Sequence, residues 1–416
     1  MTKLLIISYN FPPDNAPAAQ RPASFLKYCS TDILVLTPTS TVSALGADTI
    51  DIYKDDPRVI RSGSVSVLRG SMAQGVKGAN KKSWKKRIFN ELKIPDKSIV
   101  WYRSALKAGQ AIIDSNKDIT HLFSSSPSVV NHMVARKLAK KNKLKWIADF
   151  RDYYYIETIE KGDYIFRQHI DKRIEQGILN NADSVTFISN WMRKEYTAKY
   201  PFIADKSMAI YNGFDSAEFG EEAHTLPNKL TIFYAGTFYD GLRSPIPLFK
   251  SLDRLANEGK LDLDKIRIEV AGRISEELLD RISKFQSAKC FKFLGLLPRT
   301  EILQKYRQCH ILWLIIGDQL NHYSGFPIKG YEYMGSGRPI LLYTPIPSEG
   351  ASIVKSIGAG YVIDTRDNSN SDNVLLNMYK DYISGKLEET ISPEHLSIYT
   401  RQYQAKQLDK LINEIR

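Results

Sequence analysis

The stretch that decides the fold reads Ser324-Gly325-Phe326-Pro327-Ile328-Lys329-Gly330-Tyr331-Glu332-Tyr333-Met334-Gly335-Ser336-Gly337. Apolar runs lie on both sides of it, residues 311–316 before and residues 340–343 after, and both are typical of buried strands. The middle predicts a short helix from about Ile328 to Gly335, because glycines near its end favour helix termination. A strand, a helix and a strand in this order form the unit of a parallel α/β sheet.

The start of this helix is a predicted anion site. A loop that enters a helix after a parallel strand presents backbone N–H groups and the positive end of the helix dipole at one point. Lys329 lies in the first turn, within reach of the same anion. Glu332 follows on nearly the same face, where a carboxylate can accept two hydrogen bonds from a vicinal diol such as a ribose. The alternative is an ordinary packing unit that binds no ligand.

The same residues resemble the nucleotide-sugar site of the family 4 glycosyltransferases. The motifs Gly325-Phe326, Glu332-Tyr333-Met334 and Gly337-Arg338-Pro339 match the signature of that family, which has a further glutamate where this chain has Ser324. The resemblance implies the GT-B fold, an α/β architecture in which two Rossmann-like, doubly wound parallel-sheet domains face each other across a cleft. It assigns donor binding to Ser324, Gly325, Phe326, Lys329 and Glu332.

Length and composition are those of a globular protein with two domains. The chain has 416 residues, of which 43% are hydrophobic and 25% are charged. No apolar run approaches the roughly 20 residues that a membrane-spanning helix needs, and Leu4 to Ser8 is interpreted as a first strand instead of a signal peptide. The cysteines, Cys29, Cys290 and Cys309, have no metal-binding or disulfide spacing, which favours a reducing cytoplasm.

The net charge of +12 predicts an acidic partner. One basic cluster is interleaved with apolar residues and is interpreted as a basic amphipathic helix that contacts an anionic membrane surface. Its alternative is a solvated helix that packs on its own domain. Nucleic acid is not expected, because no nucleic-acid-binding motif accompanies the charge. The residues assigned to the membrane contact are Lys81, Lys82, Trp84, Lys85, Lys86 and Arg87.

In the first half, a strand-like run turns abruptly charged at Asp149-Phe150-Arg151-Asp152. Ionisable side chains at the end of a buried strand are costly unless they are paired or lie in a cleft. The run resembles a subgroup of the same glycosyltransferases that acts in bacterial surface-polysaccharide assembly. We therefore place Asp149, Arg151 and Asp152 among the candidate catalytic residues, with a purely structural Asp–Arg pair as the alternative.

The second half begins a new β-α-β series with a predicted strand from Leu230 to Thr237, which carries Gly236 and Thr237 of the candidate donor site at its end. Arg243 then precedes Ser244 and Pro245, residues that favour a helix start. An arginine beside a helix N-terminus is suited to a diphosphate, and we pair it with Lys329 as a second catalytic cation. The resemblance also places backbone near Leu296 and Leu297 against the base.

These observations predict four segments: an acceptor domain over residues 1–215, a linker over 216–228, a nucleotide-sugar domain over 229–396, and a terminal helix over 397–416 that returns to the first domain. By resemblance, the chain is a retaining, metal-independent glycosyltransferase of the hexosyltransferase type that needs no cofactor. It would move a sugar from a UDP-linked donor to a glycan or lipid-linked acceptor in lipopolysaccharide or capsule synthesis, at the cytoplasmic face of the plasma membrane. A GT-B fold nucleotide-sugar epimerase and a non-catalytic polyanion-binding protein are the alternatives.

Overall fold

The computed structural model describes residues 2–14, 16–40, 52–65, 94–155, 165–220, 225–238, 243–317, 323–388 and 391–415. Contacts divide the chain into two compact units. The first comprises Met1–Ile188, Arg193–Tyr211 and Ala405–Arg416, and the second comprises Ser189–Met192 and Asn212–Gln404. The basic segment predicted to contact a membrane lies outside the described residues; it contains Lys81, Lys82, Trp84, Lys85, Lys86 and Arg87.

The first unit is built on a seven-stranded sheet whose strand pairs are all parallel, in the order β3-β2-β1-β4-β5-β6-β7. Its strands are apolar because helices cover a parallel sheet on both faces. The strands are β1 (Lys3–Ile7), β2 (Asp32–Ser40), β3 (Val59–Val65), β4 (Ile119–Ser125), β5 (Lys145–Phe150), β6 (Ser184–Phe187) and β7 (Ser207–Ala209).

The helices of this unit are Pro17–Tyr28, Tyr102–Ser115, Val129–Asn142 and Ile165–Asn181, together with most of Asn190–Lys199 and Arg401–Glu414. The terminal helix is held by both apolar and polar contacts. Leu408 and Ile412 belong to the hydrophobic core of the unit. Asp409 accepts hydrogen bonds from the backbone N–H groups of Ser30 and Thr31, at 2.7 and 3.0 Å, and from both of their hydroxyls.

The second unit is built on a six-stranded parallel sheet in the order β10-β9-β8-β11-β12-β13. Its strands are β8 (Leu230–Thr237), β9 (Ile266–Arg273), β10 (Phe291–Gly295), β11 (Ile311–Ile315), β12 (Ile340–Thr344) and β13 (Gly360–Asp364). Its helices are Ile246–Asn257, Glu276–Ser283, Arg299–Arg307, Ile328–Gly335, Glu349–Ser356, Ser371–Ile383 and Pro393–Ser397.

The central prediction of a short helix between two strands is confirmed, with the helix at Ile328–Gly335 between β11 and β12. The helix after Arg243 begins at Ile246, with Pro245 as its N-cap, and the Ser244 hydroxyl accepts from the Ile246 N–H at 3.3 Å. In the described part of the chain, no helix combines the length and apolar character needed to cross a bilayer.

Candidate functional site

Lys329 lies beside the end of the central strand of the second sheet. Its ammonium nitrogen is 4.9 Å from the centre of the Tyr234 ring, a distance at which a cation is attracted to an aromatic face. Gly236 has a φ of +146°, and a Cβ at this position would overlap the Lys329 ammonium. The absence of a side chain at Gly236 therefore leaves room for the Lys329 ammonium. Thr237 follows Gly236 and ends the strand.

The electrostatics of this lysine are those of a half-buried cation beside another cation. Burial is the main cause that lowers the pKa of Lys329 to about 8; the positive charge of Arg243 also lowers it, by more than Glu332 raises it. Among the described residues, none forms a salt bridge with Lys329. Two cations repel each other beside the N-terminus of the helix Ile328–Gly335, and an anion bound there would relieve that repulsion.

Glu332 lies one turn further along this helix and is only 6% exposed. Its Oε1 atom is 3.0 Å from the Arg299 guanidinium. Burial and the charge of Glu332 raise the pKa of the nearby Tyr306 hydroxyl. Arg299 opens the helix Arg299–Arg307, directly after the loop that contains Leu296 and Leu297. Leu296 is 70% exposed, so this loop presents an open apolar surface.

The residues before Lys329 have a packing role as well as a position in the site. The Phe326 ring is buried and meets the Tyr331 ring edge to face, with centroids 5.1 Å apart. A Cβ at Gly330 would lie within 2.5 to 2.9 Å of the Phe326 ring, so the ring can pack against the helix only because this residue is glycine. Ser324 is buried and Gly325 is half-buried. The packing fixes where the helix begins and therefore where Lys329 is held.

In the first unit, Asp149 is fully buried in β5 and has four hydrogen bonds around it. Arg21 donates hydrogen bonds to both of its oxygens, at 2.8 and 2.9 Å, and the hydroxyls of Ser125 and Thr186 donate at 2.6 and 2.7 Å. Burial alone would raise the pKa of Asp149, but the charge and hydrogen bonds of Arg21 and the two hydroxyls hold it below its usual range. This carboxylate has little capacity left for a ligand.

Arg151 and Asp152 follow at the carboxyl end of the same strand and differ from Asp149 in their surroundings. The Ser126 hydroxyl accepts a hydrogen bond from the Arg151 N–H at 2.7 Å. The Arg151 side chain is buried, and its Nε atom has no hydrogen-bond partner in the described part of the chain. Burial lowers the pKa of Arg151. Asp152 is exposed. Asp152, unlike Asp149, therefore retains polar atoms that a bound molecule could reach.

The structure thus brings Gly236, Arg243, Lys329 and Glu332 together in the second unit and places Asp149, Arg151 and Asp152 in the first. Sequence reasoning missed Arg299 as a neighbour of Glu332. A signal existed, because an arginine follows the strand Phe291–Gly295 by four residues and this strand lies in the predicted sheet. The contact itself depends on tertiary structure.

Comparison of the sequence with family models and with curated proteins gives no match. The fold has many similar solved structures. Three of them are HepE of Anabaena in complex with UDP and glucose (13% identity, TM-score 0.60), sucrose-phosphate synthase of Thermosynechococcus elongatus (12%, 0.62) and the lipopolysaccharide outer core galactosyltransferase WaaB (12%, 0.62). Each alignment covers 100% of this chain and 99% of the other. The chain has the GT-B fold of glycosyltransferases, as its sequence predicted.

Proposed function

We propose that this protein is a glycosyltransferase that uses a nucleotide-sugar donor, with UDP as the nucleotide. The observation that carries the proposal is the pair of cations, Lys329 and Arg243, beside the N-terminus of the helix Ile328–Gly335, with the carboxylate of Glu332 one turn away. A nucleoside diphosphate has the matching chemistry, because it carries an anionic diphosphate next to a ribose diol. Similar folds have been solved with UDP bound, which supports the choice of nucleotide.

The proposed reaction breaks the bond between the anomeric carbon of the sugar and the diphosphate oxygen, and an acceptor hydroxyl forms a new bond to that carbon. The products are the glycoside, the nucleoside diphosphate and a proton. The bonding electrons leave with the diphosphate, so its negative charge grows in the transition state. Lys329 and Arg243 would stabilise this growing charge more than the ground state, which lowers the barrier. We propose retention of anomeric configuration and no catalytic metal.

The acceptor side of the proposal rests on the first unit. Arg151 and Asp152 directly follow β5 at its carboxyl end, and Asp152 is exposed there. We assign them to the acceptor, a glycan or a lipid-linked glycan of cell-surface polysaccharide synthesis. The similarly folded WaaB is a lipopolysaccharide outer core galactosyltransferase, which is consistent with an acceptor of this kind.

A basic face of the first unit supports a location at the cytoplasmic surface of a membrane. The helices Tyr102–Ser115, Val129–Asn142 and Ile165–Asn181 pack side by side. Their exposed charged side chains in the described residues include a single carboxylate, Asp114. The exposed cations are Arg103, Lys107, Arg136, Lys137, Lys140, Lys141, Lys172 and Arg173. Such a face is attracted to anionic lipid within a Debye length of the bilayer.

The proposed activity is tested by thermal shift with a panel of nucleotides and nucleotide sugars, on the wild-type protein and on Glu332→Ala. A shift with UDP or a UDP-sugar that is lost in the variant supports the site. The bound donor is then incubated with lipid-linked acceptors, and transfer of labelled sugar is measured. Absence of a shift with every nucleotide contradicts the proposal.

The membrane location is tested separately by co-sedimentation with vesicles that contain phosphatidylglycerol, at low salt. Reversing Lys137, Lys140 and Lys141 to glutamate should release the protein from the vesicles. The matched control reverses three exposed lysines of the second unit, Lys250, Lys284 and Lys380, with the same change in net charge. Equal release by both variants would mean that net charge acts, not the basic face.

A further inference from the structure

Arg299 lies between two carboxylates of the second unit. One of its terminal nitrogens is 3.0 Å from Glu332 Oε1, and the same nitrogen contacts both oxygens of Glu218, at 3.0 and 2.8 Å. Burial alone would lower the pKa of Arg299, but the charges of Glu332 and Glu218 hold it above its usual value. Arg299 therefore stays protonated and can pair with both carboxylates.

The two carboxylates differ in exposure and in what fixes them. Glu332 is 6% exposed and points from the helix Ile328–Gly335. The Glu218 side chain is 28% exposed and ends the short 3-10 helix Ser216–Glu218. That turn is fixed by Asp215, whose side chain accepts from the Ala217 N–H at 3.1 Å. Glu218 therefore offers Arg299 an anchored acceptor besides Glu332.

A buried carboxylate can point in several directions unless its donors select one. The planar guanidinium constrains an acceptor more tightly than an ammonium does, because its N–H groups have fixed directions. An ionised carboxylate has about four acceptor sites. The Oε1 atom of Glu332 forms an ion pair with Arg299, and acceptor sites remain on the carboxylate for a diol.

We propose that Arg299 is a positioning residue that orients Glu332 toward the ribose diol of the bound nucleotide, and that Glu218 holds Arg299 in this orientation. The inference rests on the proposed function, since it concerns how the same site recognises a nucleotide. Arg299 acts through Glu332 and itself touches neither the diphosphate nor the reacting carbon. A surface ion pair that contributes only to stability is the competing explanation.

The test compares the dissociation constants of UDP and 2′,3′-dideoxyuridine diphosphate, measured by calorimetry. The dideoxy compound keeps the base and diphosphate but cannot bond to Glu332. The wild-type protein should prefer UDP by roughly tenfold to a hundredfold, the range for hydrogen bonds to a charged group. Arg299→Leu should reduce this preference to about threefold or less while the affinity for the dideoxy compound stays within about twofold. Arg299→Lys and Glu218→Gln should retain part of the preference.

The control is Arg254→Leu. Arg254 is 50% exposed, similar to the 48% of Arg299, and grips Asp372 with two bonds of 2.7 Å in the same unit. This variant should leave the preference for UDP unchanged. In a double-variant cycle, Arg299→Leu should have no further effect on the preference once Glu332→Ala is present.

Two results would overturn the inference in different ways. In the first, the wild-type protein prefers UDP, but Arg299→Leu lowers the affinity for UDP and for the dideoxy compound by the same factor, or changes neither affinity. The positioning role is then wrong and the proposed function stands. If the wild-type protein binds neither compound, the proposed function fails and the inference fails with it.

Discussion

Asp149 in the first unit is fully buried and Lys329 in the second unit is half-buried. Both are ionisable and lie close to the carboxyl end of a parallel strand. They differ in how the surrounding groups compensate their charge. Asp149 has Arg21 and two hydroxyls within 2.9 Å. Lys329 has an aromatic face and a second cation, Arg243. One charge is compensated inside the protein, whereas the other would be compensated by a bound anion. A charged group near the carboxyl end of a parallel strand can therefore be neutralised within the protein, as Asp149 is, or be left for a ligand, as we propose for Lys329.

The largest expected effect comes from removing the compensated charge. Asp149→Ala leaves Arg21 buried without its partner, which should lower the free energy of unfolding by about 3–5 kcal/mol. Hydrogen exchange of the amides in β4 and β5 measures this, and their protection should fall by roughly two to four orders of magnitude. The control is Asp152→Ala, an exposed residue of the same segment, which should change stability by less than about 0.5 kcal/mol. Unchanged protection in Asp149→Ala would remove the structural role of the pair.

Lys329→Met tests the other side of the comparison. Methionine keeps much of the side-chain volume but removes the charge, so UDP should bind more weakly by about 1.5–3 kcal/mol, or roughly tenfold to a hundredfold. The ligand-free protein should not be destabilised, because the change removes a half-buried cation that has no salt bridge among the described residues. Calorimetry gives the affinity and thermal melting gives the stability, with the exposed Lys250→Met as control. A variant that binds UDP normally would refute the anion site.

The pH dependence of UDP affinity sharpens the comparison further. Only protonated Lys329 attracts the diphosphate, and its pKa is lowered to about 8. Affinity should therefore be full near pH 7 and fall as the pH rises through 8, by up to about tenfold per pH unit until the pKa of the complex is reached. In the ligand-free protein, the unfolded state binds the proton between pH 8 and 10.5, so Lys329 makes stability rise across that window. Lys329→Arg should keep its affinity up to about pH 9.5, since an arginine stays protonated.

Local patterns were sufficient to predict the parts of the site that lie on one element. The apolar run from Leu230 to Thr237 is the strand β8 with those bounds, and the helix at Ile328–Gly335 places Lys329 and Glu332 one turn apart. Both results depend on periodicity and on glycine and proline positions, which are properties of neighbouring residues. The pairing of Arg243 with Lys329 also followed, because adjacent parallel strands end at the same edge of a sheet.

The partners of the buried charges could not be predicted in the same way. The sequence suggests the nearby Arg151 as the partner of Asp149, but the partner is Arg21, which lies 128 residues away. Arg299 and Glu332 likewise come from separate helices. Which arginine reaches a given carboxylate is decided by how helices pack on the sheet, and the hydrophobic pattern of one segment does not contain this information.

The smallest expected effect concerns the aromatic face under Lys329. Tyr234→Leu removes the ring that stabilises the ammonium, which should weaken UDP binding by about 0.5–1 kcal/mol, or twofold to fivefold. The pKa of Lys329 should fall further, because its charged form loses the one aromatic ring that contacts it among the described residues. The pH at which UDP affinity declines should therefore move lower. Tyr234→Phe is the matched control: it keeps the ring and loses only the hydroxyl that donates to the Thr237 carbonyl at 3.1 Å. A decline at the same pH in Tyr234→Leu and Tyr234→Phe would mean that burial and Arg243 alone set the charge of Lys329. In that case, Asp149 and Lys329 would differ only in that Asp149 has a salt bridge, to Arg21, whereas Lys329 has none among the described residues.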